Sequence, residues 1–295
     1  MGDNLRGAVL MVFAMAGFAM EDMFIKLMSD QLPIFQIILV LGFGGGLFFA
    51  LLTLLKGQSL WSATLLHPAV ILRGVGEIIG TLGFVSAIVL TPVSSASAIL
   101  QATPLAVTLG AALFLQEQVG WRRWTAIIVG FCGVMLVLRP WEEGFELASL
   151  FAVQGVVGLA LRDLATRRVP GNVSTIQLST YGFLSLVPAG LIIMPWSEIP
   201  AQIPSFMNSI YISAALIFGI LAYYAIVAAM RVGEVSFVTP FRYSRLIFAA
   251  IIGVIVFEET IDTLMLIGSA IIVGSGLFTV LRERRMGLSS SRKAR

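Results

Sequence analysis

Eight residues carry charge inside otherwise apolar stretches of this sequence: Glu21, Asp22, Arg73, Glu77, Arg162, Asp163, Arg242 and Arg245. An ionised side chain facing hydrocarbon costs about 3 kcal/mol or more, so each must turn toward a partner, a bundle interior or a water-filled cavity. Two chemistries suit them. A guanidinium is a planar fork matched to a carboxylate, and a carboxylate accepts from an ammonium, so Arg245 with Glu77 can receive the two ends of an amino acid. A carboxylate desolvated alternately on two sides can carry a proton, and Glu21, Asp22 and Asp163 are the candidates for that role or for plain ion pairing.

Spacing ranks these groups. Arg73 and Glu77 share a helical face at i,i+4, and Arg242 and Arg245 share one at i,i+3. At about 1.5 Å per residue, Glu77 and Arg245 fall roughly 14 Å from the ends of their spans, near the centre of the hydrocarbon, while Arg73 and Arg242 fall at roughly 8 to 9 Å. The plain alternative uses the same atoms as a structural ion-pair set, with Arg73 on Glu77 and the two later arginines neutralised by Glu21 or Asp22. Arg162 and Asp163 are adjacent and diverge by about 100° on a helix, so they are expected to use different neighbours.

Polar and aromatic residues within the spans complete a candidate cavity: Gln101, Thr103, Gln154, Tyr223, Tyr224, Tyr243 and Ser244. A tyrosine joins an apolar ring to a polar tip, which suits a site for varied substrates, although most tyrosines in spans pack or anchor. Pro104 and Pro240 lie inside spans and free backbone carbonyls, so each is an expected kink and candidate hinge. Glycines at 42, 44, 45 and 46, and at 74, 76, 80 and 83, are expected to let helices pack closely.

The elements that hold these residues follow from composition. Of 295 residues, 58% are hydrophobic and only 12% charged, with a mean hydropathy of +0.96. Too few charges remain to coat a soluble globule, so lipid must be the solvent for most of the surface. Ten runs of roughly 20 apolar residues, the length that crosses about 30 Å of hydrocarbon, can be marked. They cover 5–28, 34–55, 68–90, 93–116, 121–138, 147–165, 176–194, 208–230, 235–257 and 263–281, joined by short connections. The fold class is therefore an all-α integral membrane protein. The first run resembles a signal peptide but continues through Glu21 and Asp22 with no soluble region behind it, so it is read as retained.

Charge sets the orientation. With the amino terminus inside, 13 of the 19 basic residues fall on inner segments: Arg6, Lys56, Arg122, Arg123, Arg167, Arg168, Arg231, Arg282, Arg284, Arg285, Arg292, Lys293 and Arg295. Outer segments hold Lys26 and Arg139 and collect the acids Asp30, Glu142, Glu143, Glu146, Glu198, Glu258, Glu259 and Asp262. The positive-inside rule then puts both termini in the cytoplasm, with a basic tail at 282–295. Basic residues placed in this way serve topology and give no reason to expect a nucleic-acid partner. Trp61, Trp121, Trp124, Trp141 and Trp196, near span ends, read as an aromatic belt.

Other classes lose support by arithmetic. Cys132 is the one cysteine and is expected to be a buried, inert thiol. His67 is the one histidine, and no zinc or haem ligand set, Ser/His/Asp arrangement or phosphate loop occurs. An enzyme, a metal site and a cofactor are therefore not expected. The sequence leaves open whether the protein is a monomer or a dimer.

Glu117 followed by Gly130 has a counterpart in Glu259 followed by Gly274, at spacings of 13 and 15 residues. Repeats of five spans each, at 1–140 and 141–281, have an odd number of crossings, so the second must be inverted relative to the first. Inverted repeats are a common plan of secondary transporters, because two pseudo-equivalent halves can exchange inward and outward states. The stretch from Ala96 through Gln101-Ala-Thr-Pro104, Phe114-Leu-Gln-Glu117, Gly120-Trp-Arg-Arg-Trp124 and Gly130-Phe-Cys-Gly133 to Arg139-Pro140 resembles EamA-type proteins of the drug/metabolite transporter superfamily. So does Pro240-Phe-Arg-Tyr-Ser-Arg-Leu-Ile-Phe248 with Phe257-Glu-Glu259. Within that family the chain looks most like the YddG-type amino-acid exporters. The resemblance implies ten spans and alternating access at a bacterial inner membrane. It also implies export of amino acids, aromatic ones included, or alternatively of other small metabolites, drugs or nucleotide sugars.

Overall fold

The computed structural model describes residues 2–61, 63–114, 120–141, 147–166, 168–232 and 238–293, all helical or connecting. The helices are α1 (Asp3–Ser29), α2 (Ile34–Leu55), α3 (Pro68–Leu90), α4 (Val93–Leu100), α5 (Thr103–Phe114) and α6 (Trp121–Leu138). They continue with α7 (Leu150–Thr166), α8 (Thr175–Ile193), α9 (Phe206–Val232), α10 (Ser244–Val256) and α11 (Thr263–Lys293), with a 3-10 turn at Thr239–Tyr243 leading into α10. Among the described residues, eight helical stretches are long and apolar enough to cross a membrane, and Trp124–Leu138 and Thr263–Thr279 are apolar but shorter. Of the residues used for orientation and for the repeat, Glu117, Glu142, Glu143, Glu146, Arg167 and Arg295 lie outside the described residues. Helix α11 runs on to Lys293, so the backbone of most of the basic tail continues the last span as helix.

Local chemistry explains the boundaries. Pro68 occupies the first turn of α3, where a missing N–H costs nothing, and Nδ1 of His67 accepts from the Ala69 N–H at 3.2 Å. His67 is thus a helix cap. The helix stops at Leu90 because Thr91 precedes Pro92 and is extended there. Ser174 and Gln177 close a capping box on α8. Arg139 ends α6 in the left-handed conformation, one residue before Pro140.

The fourth span departs from expectation, since it is two helices and not one kinked helix. Pro104 cannot donate to Leu100, whose carbonyl accepts instead from the Thr103 hydroxyl at 2.6 Å. The helix therefore ends at Leu100, turns through Gln101 and Ala102, and restarts at Thr103 with Pro104 in its first turn. Pro240 lies at the start of the 3-10 turn that leads directly into α10. Pro104 thus marks a break and does not bend an intact helix.

The principal packings are α3 on α7, α1 on α9, α2 on α8 and α6 on α11, with α4 against α10. Glycines set the closest of them. A Cβ on Gly158 of α7 would lie 2.1 Å from the Gly80 nitrogen, one on Gly83 of α3 would lie 2.4 Å from the Gly155 nitrogen, and one on Gly76 would lie 2.5 Å from the Arg162 nitrogen. The two backbones touch. Gly158→Ala is expected to destabilise the protein by about 1–3 kcal/mol, as overpacking does, because backbone is what must move. A thermal melt of the detergent-solubilised variant indistinguishable from the parent would contradict this packing. Outward faces carry large apolar side chains such as Phe43, Leu47, Leu55 and Ile255. Cys132 is exposed on that surface, not buried as expected, because α6 turns Gly133 toward α11 and the adjacent residue points away.

Candidate functional site

The charged residues gather where α3, α7, α9 and the turn before α10 meet. Glu77, one turn beyond Arg73, lies 3.7 Å from its guanidinium and accepts from Arg162 of α7 at 3.2 Å. Arg162 also donates through Nε to Asp163 at 2.9 Å, and Arg242 approaches the other oxygen of Asp163 at 4.0 Å. Arg73 donates to the Tyr223 hydroxyl at 3.0 Å. Gly182 of α8 leaves room for this chain of charges, since a Cβ there would come within 3.3 Å of Arg73. Arg73 and Glu77 are buried, whereas the side chains of Arg162, Asp163 and Arg242 keep 19%, 26% and 30% of their surface accessible. One end of the network is sealed in protein, and the other keeps accessible surface.

A second pair stands apart. Arg245 donates to Asp22 at 2.6 Å, and its guanidinium lies over the rings of Phe18 and Phe84, 5.3 and 4.9 Å from their centroids. The expected joint use of Arg245 and Glu77 on one substrate is therefore not what the geometry favours, because each is engaged by its own partner. The intrahelical Arg73 to Glu77 pair is present, but Arg242 faces Asp163 and not Glu21 or Asp22. Arg162 and Asp163 do bond to each other despite their divergence, because a guanidinium on a long stem folds back over one residue.

The polar candidates divide. Gln101 is buried at the α4 to α5 break with its amide nitrogen unpartnered among the described residues, which makes it available to a ligand. Gln154 of α7 donates to the Ile79 carbonyl at 3.3 Å and joins α7 to α3. Ser244 donates to the Phe241 carbonyl at 2.7 Å. Tyr243 is buried with its hydroxyl against Gly276 of α11, so it fills a helix contact. A shallow groove on the outer face of α9, lined by Ser209, Ile210, Ser213 and Ile217, has no ionisable lining.

Sequence reasoning missed a third cluster at the end of the bundle where α1 finishes. The Glu259 carboxylate accepts from the backbone N–H groups of Val93 and Ser94 at 2.6 and 3.0 Å and from the Ser94 hydroxyl at 2.5 Å. It thereby satisfies the orphan donors at the start of α4. Lys26 lies 3.5 Å from Glu259, donates to the Thr91 carbonyl at 2.6 Å and sits over the Phe257 ring. The signal was the Glu259 half of the repeated Glu to Gly pattern. Close by, Arg139 pairs with Asp262, whose carboxyl it holds below the usual range, helped by the Met265 N–H.

Comparison with known proteins agrees with this architecture. The sequence model of the EamA-like transporter family matches the chain twice, over residues 5–139 and 147–281. A riboflavin transporter of Vibrio cholerae is 32% identical over 195 residues, covering 66% of this chain and 64% of that protein, a little under two thirds of its length. An S-adenosylmethionine uptake transporter of Rickettsia bellii is 28% identical over 220 residues, 73% of each chain. A pseudopaline exporter of Pseudomonas aeruginosa is 24% identical over 272 residues, 90% of this chain and 93% of its own. One crystal structure shares the fold with a TM-score of 0.60 and 20% identity over 93% of this chain and 98% of its own.

Proposed function

Because the chain belongs to the EamA-like transporter family, we propose that it is a secondary carrier moving a small organic metabolite across a bacterial inner membrane by alternating access. The observation that carries this reading is the partly accessible network of Arg162, Asp163 and Arg242 within membrane-depth helices, together with the break at Pro104 and the 3-10 turn at Pro240. Discontinuous helices in corresponding positions of two halves are where carriers of this plan bind their substrates. Substrate contacts are assigned to Arg162, Arg242, Gln101 and Tyr223, with Glu77, itself paired with Arg73, holding Arg162 in place.

Two inverted five-span repeats, at 1–140 and 141–281, fit the packing pattern. A shift by five spans converts the α3/α7 contact into the α9/α1 contact and returns α2/α8, α6/α11 and α4/α10 to themselves. That pattern supports a two-fold relation, whose axis, for repeats of five crossings each, would lie in the membrane plane. The charge bias supports cytoplasmic termini.

The relatives above are named for riboflavin, S-adenosylmethionine and pseudopaline, two by substrate or uptake and one by export. We therefore favour a metabolite larger than a simple amino acid and leave the direction to the driving gradient. Purified protein in proteoliposomes should show saturable uptake of at least one member of a panel containing riboflavin, S-adenosylmethionine, amino acids, a nucleotide sugar and a cationic dye. Arg162→Ala should lower that uptake at least tenfold at equal insertion. No saturable uptake across the panel, or wild-type flux in the variant, would overturn the assignment.

A further inference from the structure

Four carboxylates and four arginines occupy the membrane-depth stretches, but their pairing is uneven. Asp22 takes Arg245, Glu77 takes Arg73 and Arg162, and Asp163 takes Arg162 and Arg242. Glu21 alone among the four carboxylates forms no hydrogen bond or ion pair with a described residue. Its Oε1 rests against bare α9 backbone, where a Cβ on Gly219 would lie 2.5 Å away. Elsewhere around it, α1 supplies Asp22 and α10 supplies Arg245, which are bound to each other. Helix α3 presents Arg73 and Glu77, turned toward Tyr223 and Arg162, and α2 has no ionisable residue. The turn before α10 contributes Arg242, directed at Asp163, and Tyr243, directed at Gly276. Of the tyrosines on α9, Tyr211 stacks near Phe24, Tyr223 accepts from Arg73 and Tyr224 is exposed on the outside.

A carboxylate at this depth whose nearest cation, Arg245, is already bound to Asp22 is best accommodated by a proton, and Glu21 is only half-buried, which leaves a route for one. We propose that Glu21 is a proton-exchange site that takes up and releases one proton per transport cycle, making the carrier proton-coupled. This rests on the carrier reading given above. The step is balanced by water alone: a hydronium in the cavity gives its proton to the carboxylate, and the carboxylic acid returns it to water on the other side.

The decisive measurement needs no substrate. Potentiometric titration of the purified full chain in detergent should show Glu21→Gln binding one proton fewer than the parent across the neutral range, with an unchanged melt. In the parent, dicyclohexylcarbodiimide, which reacts with protonated carboxyls in apolar surroundings, should label the peptide containing Glu21 and do so less as pH rises. Superimposable titrations, or no label on that peptide at any pH, overturn the proposal, and the labelling arm stands even if the variant does not fold. With a substrate from the panel, an imposed pH gradient should drive accumulation at least tenfold better in the parent than in Glu21→Gln. Equal accumulation overturns the coupling. If no panel member moves, the carrier reading fails while the titration still judges the proton site.

Discussion

Replacing Glu77 by glutamine is expected to lower stability by about 3 kcal/mol or more and to abolish transport, the largest effect of any single substitution at the site. Glu77 is the shared counter-charge of Arg73 and Arg162, and its side chain is only 9% accessible. Removing one partner from a buried pair leaves uncompensated charge, which costs about 3–5 kcal/mol, far more than the intact pair contributes. Here two guanidiniums are left, one of them with a buried Nε already lacking a partner. The expected result is a lower melting temperature in detergent and loss of substrate binding, since Arg162 would no longer be held toward α3. Adding Arg73→Gln to the variant should recover part of the stability by removing one surplus charge, a coupling that a double-mutant cycle measures. Glu77→Gln melting like the parent would mean that the network is already dissolved in water.

Glu259→Gln should act on conformation more than on binding. The carboxylate ties the α10 to α11 connection to the start of α4, while Lys26 brings in the end of α1. Hydrogen bonds to a charged acceptor contribute about 1.5–3 kcal/mol each, and glutamine can serve only some of these donors and not the ammonium. A loss of about 3 kcal/mol changes a two-state ratio by roughly a hundredfold, so this end of the bundle should open far more often. Cys132 is the only cysteine and can be removed by Cys132→Ala. In that background, a cysteine introduced by Ser95→Cys should react with a water-soluble maleimide at least tenfold faster when Glu259→Gln is added. Equal rates would assign Glu259 to capping α4 and nothing more.

The limits of the spans were legible because they depend on local chemistry. The expected runs at 34–55, 68–90 and 121–138 coincide with α2, α3 and α6. Proline placement also foretold where the chain departs from helix, although a kink was expected at Pro104 where Thr103 instead caps the carbonyl that proline leaves free. Depth and sidedness of the ionisable residues marked them as a group. Which arginine meets which carboxylate was not legible, because Arg245 and Asp22 are 223 residues apart in the chain and meet only through the packing of α1 on α10. The latch at Glu259 escaped for the same reason. A loop acid looks like surface charge until the helix start it satisfies is placed beside it.

The principal packings also bear on how the molecule could be divided. Every one of them joins a helix of residues 5–139 to a helix of residues 147–281, and contacts inside either segment are slighter. Each buried cluster draws side chains from both segments, so neither closes a core by itself and the usual relation between a repeat and a domain does not hold. The connection at 141–146 could be severed without separating anything, whereas a segment made alone would present its glycine-lined and charged faces to lipid until a complement arrived. The two segments are therefore complementary halves of one packed body.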